Sequence, residues 1–168
     1  MGICAEEMRR YVIAPCLEHL DDWSLAAENL LLGTAAVESG LGDHLLNANH
    51  PGLGIYRITP EKHTQIWDQY LAFCPDLASK VRGLASQREF LNHPHAELTT
   101  NLSYATAIAW MIYKSSEKVL PCAEDLTALA SLWQQHFLQQ HSALEQGGQT
   151  GFFLREYERC QDGTVVAA

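Results

Sequence analysis

The run 30–37, LLLGTAAV, is the longest apolar stretch in the chain, and Gly33 and Thr34 interrupt it. A membrane-spanning helix needs roughly 20 apolar residues, so this run is too short to cross a bilayer and reads as a buried helix. The flanking residues delimit that helix. Ser24 is an N-cap, since its hydroxyl can accept from the unpaired first-turn amides, and Glu28 lies near the positive end. Gly40 and Gly42 stop it directly after Ser39. A helix that is apolar around most of its circumference needs neighbours around it, and the remaining sequence supplies further helices.

Helical spacing of Met8, Val12, Ile13, Cys16, Leu17 and Leu20 predicts an amphipathic helix over 5–20, with an interruption at Pro15. Residues 40–58, rich in Gly, Asn and His, are too irregular for a helix or a long strand and are expected to form a functional loop, with room for a small hairpin. Thr59-Pro60-Glu61 is a strong start signal for a helix reaching Phe73. Shorter helices are expected over 75–86 and 88–91, before the turn NHPHAEL. A mostly apolar helix over 100–115 is expected to be central, and helices over 123–141 and 150–160 flank a polar EQGGQ linker. No repeat or boundary divides the chain, so residues 1–168 read as one mainly α-helical domain.

At 168 residues a single core suffices, because a domain of that size buries about 70% of its unfolded surface. The formal charge of −9 and the lack of a Lys/Arg stripe argue against nucleic acid as a ligand. The N-terminus places Glu6, Glu7, Arg9 and Arg10 ahead of any apolar run, which is not the order of a secretory signal, and membrane insertion is not expected. Five scattered cysteines without a CxxC pair read as reduced thiols, in keeping with synthesis in a cytoplasm.

One residue combines position with chemistry. Glu38 follows two apolar helical turns and lies where the last helical carbonyls point, so burial and the negative helix end would both disfavour its ionised form. A carboxyl group kept protonated in this way is what a general acid requires. Ser39 beside it is placed either to bond Glu38 or a substrate, or to satisfy backbone carbonyls. Further on, Gly54 would let the backbone approach a ligand, with Ile55 and Tyr56 offering apolar and aromatic surface. His93-Pro94-His95 brings two imidazoles close, but the spacing matches no zinc motif, and neither a metal nor another cofactor is expected. Trp67, Trp110 and Trp133 lie on expected helices and read as core.

Taken in order, AVESGLGDHL, GLGIYRITPEKH, Asn101 opening a long helix, and the closing segments LASLWQQHF and FLREYERC resemble the goose-type lysozyme and lytic transglycosylase family, in particular its bacteriophage forms. The resemblance covers residues 25–157. The family's Glu-Ser pair is matched by Glu38 and Ser39, and its Gly-apolar-aromatic-Gln motif by Gly54 to Arg57, with Arg57 in the Gln position. The resemblance implies a lysozyme-like fold and cleavage of peptidoglycan glycan strands with Glu38 as acid and base. It also implies a glycan cleft shaped by Ser39, Gly54, Ile55, Tyr56, Arg57, Asn101, Tyr104 and Tyr157. Either the muramyl 6-hydroxyl attacks, giving an anhydro product, or water does; in the second case Asp43, Glu61 or Asp68 could serve as the second carboxylate.

Arg57 leaves a choice open. It could pair with Glu38 and hold it ionised, or point at a substrate carboxylate. The first outcome, together with the acidic net charge, would fit a catalytically inactive virion structural or glycan-binding protein. A third reading is a helical interaction protein in which Glu38 is incidental. Delivery to the wall is expected as part of a virion, beside other virion proteins, through a membrane lesion or by another secretion route.

Overall fold

A computed structural model of the chain describes residues 2–45, 50–137 and 149–162. The molecule is mainly helical. Helices α1 (Ala5–Met8) and α2 (Ala14–His19) are joined by a π-helical turn, Arg9–Ile13. Pro15 has no N–H and its ring crowds the carbonyl four residues earlier. The wider π turn absorbs that misfit, so the helix continues where the sequence suggested a break.

α3 (Leu25–Ser39) is the expected buried helix, with every residue except Leu25 and Val37 buried. Ser24 Oγ accepts from the Ala27 amide at 3.1 Å. At the other end Gly40 turns left-handed at φ 60°, and the Leu41 amide reaches back to the Ala35 carbonyl at 3.1 Å. Leu30, Leu31 and Leu32 are fully buried, and each such side chain contributes on the order of 1.5–3 kcal/mol on leaving water.

Gly33 sits in the middle of this helix because α10 comes close. A Cβ there would lie 2.1 Å from Phe153 Cζ.

α4 (Pro60–Gln69) starts as expected, with Thr59 Oγ1 accepting from the Lys62 amide at 3.2 Å. It ends earlier than expected, giving way to a 3-10 turn at Leu71–Phe73 before α5 (Pro75–Leu84) and α6 (Gln87–Asn92). The segment read as a turn contains one more helical turn, α7 (Glu97–Thr100). It forms because the buried Glu97 carboxylate accepts from the Ser86 amide and from Asn101 Nδ2, at 2.9 and 2.8 Å.

α8 (Leu102–Lys114) is the second central helix, followed by α9 (Leu126–His136) and α10 (Gln149–Asp162). The expected extension of α9 to His141 lies outside the described residues. α3 packs on α8, α9, α10 and the π turn, while α8 packs on α2, α4, α5, α7 and α9. Among the described residues no helix is long and apolar enough to cross a membrane. All five cysteines are free thiols.

Among the described residues, the hairpin expected within 40–58 takes the form of an antiparallel bridge between Leu53 and Ile58, closed by the turn 54–57.

Candidate active site

Glu38 lies in the last turn of α3 and is 4% exposed. Its position is fixed from two other helices. Trp133 of α9 donates its indole Nε1–H to Glu38 Oε1 at 2.9 Å. The Trp133 ring in turn leans on Phe153 of α10, with centroids 5.9 Å apart, and Phe153 is the ring that Gly33 admits. The glycine, the two aromatics and the carboxylate therefore form one chain of contacts across α3, α9 and α10. The Glu38 charge also reaches Tyr113 of α8: burial above all, with that charge adding to it, holds the Tyr113 phenol well above its ordinary range.

Ser39 turns out to be a backbone staple. Its hydroxyl lies 2.7 Å from the Ile55 carbonyl and 3.2 Å from the Ala35 carbonyl, and it accepts from the Gly42 amide at 2.9 Å. The helix end is thereby tied to the turn 54–57. That turn is tightly specified: Gly54 is left-handed at φ 72°, and a Cβ on it would lie 1.7 Å from the Leu98 carbonyl oxygen. Arg57 closes the turn at φ 48°, a region that non-glycine residues seldom occupy, with its amide on the Gly54 carbonyl at 3.1 Å.

The Arg57 side chain is buried. Its Nη2 donates to the His44 carbonyl at 3.4 Å rather than to the Glu38 carboxylate, and its Nε has no hydrogen-bond partner.

Glu38, Ser39 and Arg57 meet along a cleft of about 730 Å³. The segment Gly2 to Ala5, the reversal from Gly40 to His44, and Phe152, Glu156, Arg159 and Cys160 of α10 complete its lining. Asp43 is in the cleft, whereas Glu61 and Asp68 line a separate, open groove along α4 beside His95. Of the three carboxylates considered as partners to Glu38, only Asp43 shares its cleft. Burial pushes the Cys160 thiol up to about 11, so near neutral pH it stays protonated and is a poor nucleophile.

Several residues expected to touch glycan are instead committed to the fold. Tyr56 is wholly buried and hydrogen-bonds Thr106 at 3.1 Å. Thr106 gives its own proton to the Leu102 carbonyl, so the phenol donates and offers no face for stacking. Ile55 is buried and contributes its carbonyl to Ser39, while Gly54 packs against Leu98. Asn101 caps α8 through the Tyr104 amide and gives its amide group to Leu84 and Glu97.

Tyr157 is buried with its hydroxyl on Arg9 Nη2 at 2.8 Å. Its neighbours Glu156 and Cys160 reach the cleft in its place.

Tyr104 belongs to a second buried cluster. Its hydroxyl lies 2.9 Å from Trp67 Nε1 and 2.7 Å from His63 Nε2, and His63 Nδ1 lies 2.9 Å from His95 Nδ1. The indole can only donate, so Tyr104 Oη accepts from Trp67, and His63 bridges the phenol and His95 through its two ring nitrogens. His93 points elsewhere, 3.6 Å from Glu89. Among the described residues no group of three His, Cys, Asp or Glu side chains is arranged to hold a metal.

The contact to Glu38 that sequence reasoning missed is Trp133. It was legible as core but not as the partner of a carboxylate 95 positions away. Comparison of the chain with protein-family models, with curated proteins and with solved structures finds no match.

Proposed function

We propose that the protein cleaves the glycan strands of peptidoglycan, with Glu38 as general acid and then base. One observation carries the reading: a carboxyl group gripped by an indole in a water-poor helix end also forms part of the wall of a cleft of about 730 Å³. Glycosidic cleavage requires a proton at the leaving oxygen as positive charge develops on the sugar, and a positioned carboxyl can supply it. The same group then accepts the proton of the attacking nucleophile. That nucleophile is the muramyl 6-hydroxyl in a transglycosylase or water in a muramidase, where Asp43 is the carboxylate at hand. Trp133 holds the acid in register, and Ser39 keeps the helix end and the turn 54–57 together. The site of action is the cell wall, reached within a virion or by release into the periplasm.

An inert glycan-binding protein is the second reading, and Arg57, standing on the same cleft in the position where the resembled family has Gln, favours it. The two are separated by incubating purified peptidoglycan with the wild-type chain and with Glu38→Gln, followed by mass analysis of the soluble products. Muropeptides released only by the wild type support cleavage, with anhydro or reducing ends naming the chemistry. Binding without release by the wild type overturns it.

A further inference from the structure

Among the described residues, the cleft holds a positive charge, that of Arg57, with no carboxylate paired to it. Arg57 is 9% exposed. Among the described residues no carboxylate forms an ion pair with it, its one hydrogen bond is the long contact to the His44 carbonyl, and its Nε lacks an acceptor. A guanidinium stays protonated in proteins, and a buried charge without a partner is strongly unfavourable. The backbone adds to that cost, since Arg57 sits in the left-handed region at φ 48°. It is also locked there: a Cβ on Gly52 would lie 2.1 Å from the Arg57 carbonyl oxygen, so the chain on both sides closes around it. The other guanidinium on the cleft, Arg159, is exposed and already paired with Glu156 at 3.4 Å.

From this unmet charge we infer that Arg57 docks a carboxylate of the substrate, so that the cleft selects anionic glycans over neutral ones. The inference rests on the glycan reading above and adds to it the chemistry of the ligand. A guanidinium recognises a carboxylate through paired N–H donors, and the buried Arg57 Nε–H, which bonds no acceptor among the described residues, is a donor such a ligand would satisfy. Two sources of the carboxylate exist on peptidoglycan. One is the lactyl carboxylate of a muramyl residue from which the peptide has been removed; the other is a carboxylate of an attached peptide stem.

The test is binding by calorimetry together with the Arg57 Nε–H resonance, measured on the full chain carrying Glu38→Gln to prevent turnover. Three tetrasaccharide probes are compared: neutral N-acetylglucosamine, peptide-free muramyl glycan, and the same glycan bearing peptide stems. The expected result is at least about tenfold tighter binding of a carboxylate-bearing probe than of the neutral one, with a shift of the Nε–H resonance. Adding Arg57→Gln should level the three affinities.

Preference for the peptide-free probe assigns the lactyl carboxylate, and preference for the stem-bearing probe assigns the peptide. Equal affinities with an unmoved Nε–H, or a preference that survives Arg57→Gln, would overturn the inference while leaving glycan recognition intact. No binding of any probe would overturn both. Should Arg57→Gln not fold, the resonance of the unaltered arginine still decides the matter.

Discussion

Around Tyr104, side chains from α4, α8 and the segment before α7 satisfy one another, with Trp67, Tyr104, His63 and His95 joined in one chain of hydrogen bonds. Around Arg57, a buried cation has, among the described residues, one long hydrogen bond and a left-handed backbone. Tyr104, His63 and Arg57 are each buried, so the difference is one of completion. A complete buried network stabilises and fixes a fold, whereas an incomplete one costs stability and is kept where a ligand finishes it. On that basis the histidine cluster is assigned to the fold, and the cleft is the place where a ligand is proposed.

The comparison breaks first, and hardest, at His63. Removing its imidazole by His63→Ala deprives the buried Tyr104 hydroxyl and His95 of their partner and opens a void, so unfolding should become easier by about 3–4 kcal/mol in denaturant titration. A variant within about 0.5 kcal/mol of wild type would show that the network is not structural.

Acid should act on the same cluster. Burial, and then the charge of His95, lower the His63 pKa to about 4, against about 6.5 when unfolded. The folded state thus resists protonation, and the unfolded state binds more protons between these values. The contribution of this group is complete above pH 6.5 and is lost as pH falls from 6.5 to 4, by roughly 3 kcal/mol at most. Thermal unfolding followed across that window should show the loss in the wild type and a flatter profile in His63→Gln.

At the cleft the comparison is sharpened by Trp133→Phe, which keeps the ring packing on Phe153 and deletes the N–H held by Glu38. Peptidoglycan release should fall by about 10- to 100-fold, or roughly 1.4–2.7 kcal/mol of barrier, with a smaller loss of stability near 1 kcal/mol. Equal release by the two proteins would remove Trp133 from the account. The smallest effect should also have the opposite sign: replacing the unpaired cation by Arg57→Met should raise stability by about 1 kcal/mol in the same titration. Destabilisation would mean that the guanidinium is better satisfied than its contacts indicate.

The helices were largely legible because their ends carry local signals. Ser24, Thr59 and Asn101 cap through their own side chains, and Gly40 supplies the left-handed stop. Glu38 was legible for the same reason, being a carboxylate at the end of an apolar helix.

What the sequence hid is long-range. Tyr56 beside a glycine reads as a ligand-facing aromatic until Thr106 of α8 is seen to take its proton. Asn101 and Tyr157 match expected cleft positions, yet Leu84, Glu97 and Arg9 claim their polar atoms. Gly33 stands out only as an interruption of the apolar run, and nothing local says that the ring of Phe153 packs against it, or that the ring beyond is Trp133.

The most direct test measures binding, folding and turnover on one pair of proteins, the wild type and Glu38→Gln, using purified peptidoglycan. A glutamine can still accept from the Trp133 indole, so the variant should unfold at nearly the wild-type temperature and bind glycan as well as the wild type. It should release muropeptides at least about 100-fold more slowly. A variant that releases them at the wild-type rate, or a wild-type chain that binds glycan and releases none, would contradict Glu38 as the catalytic acid.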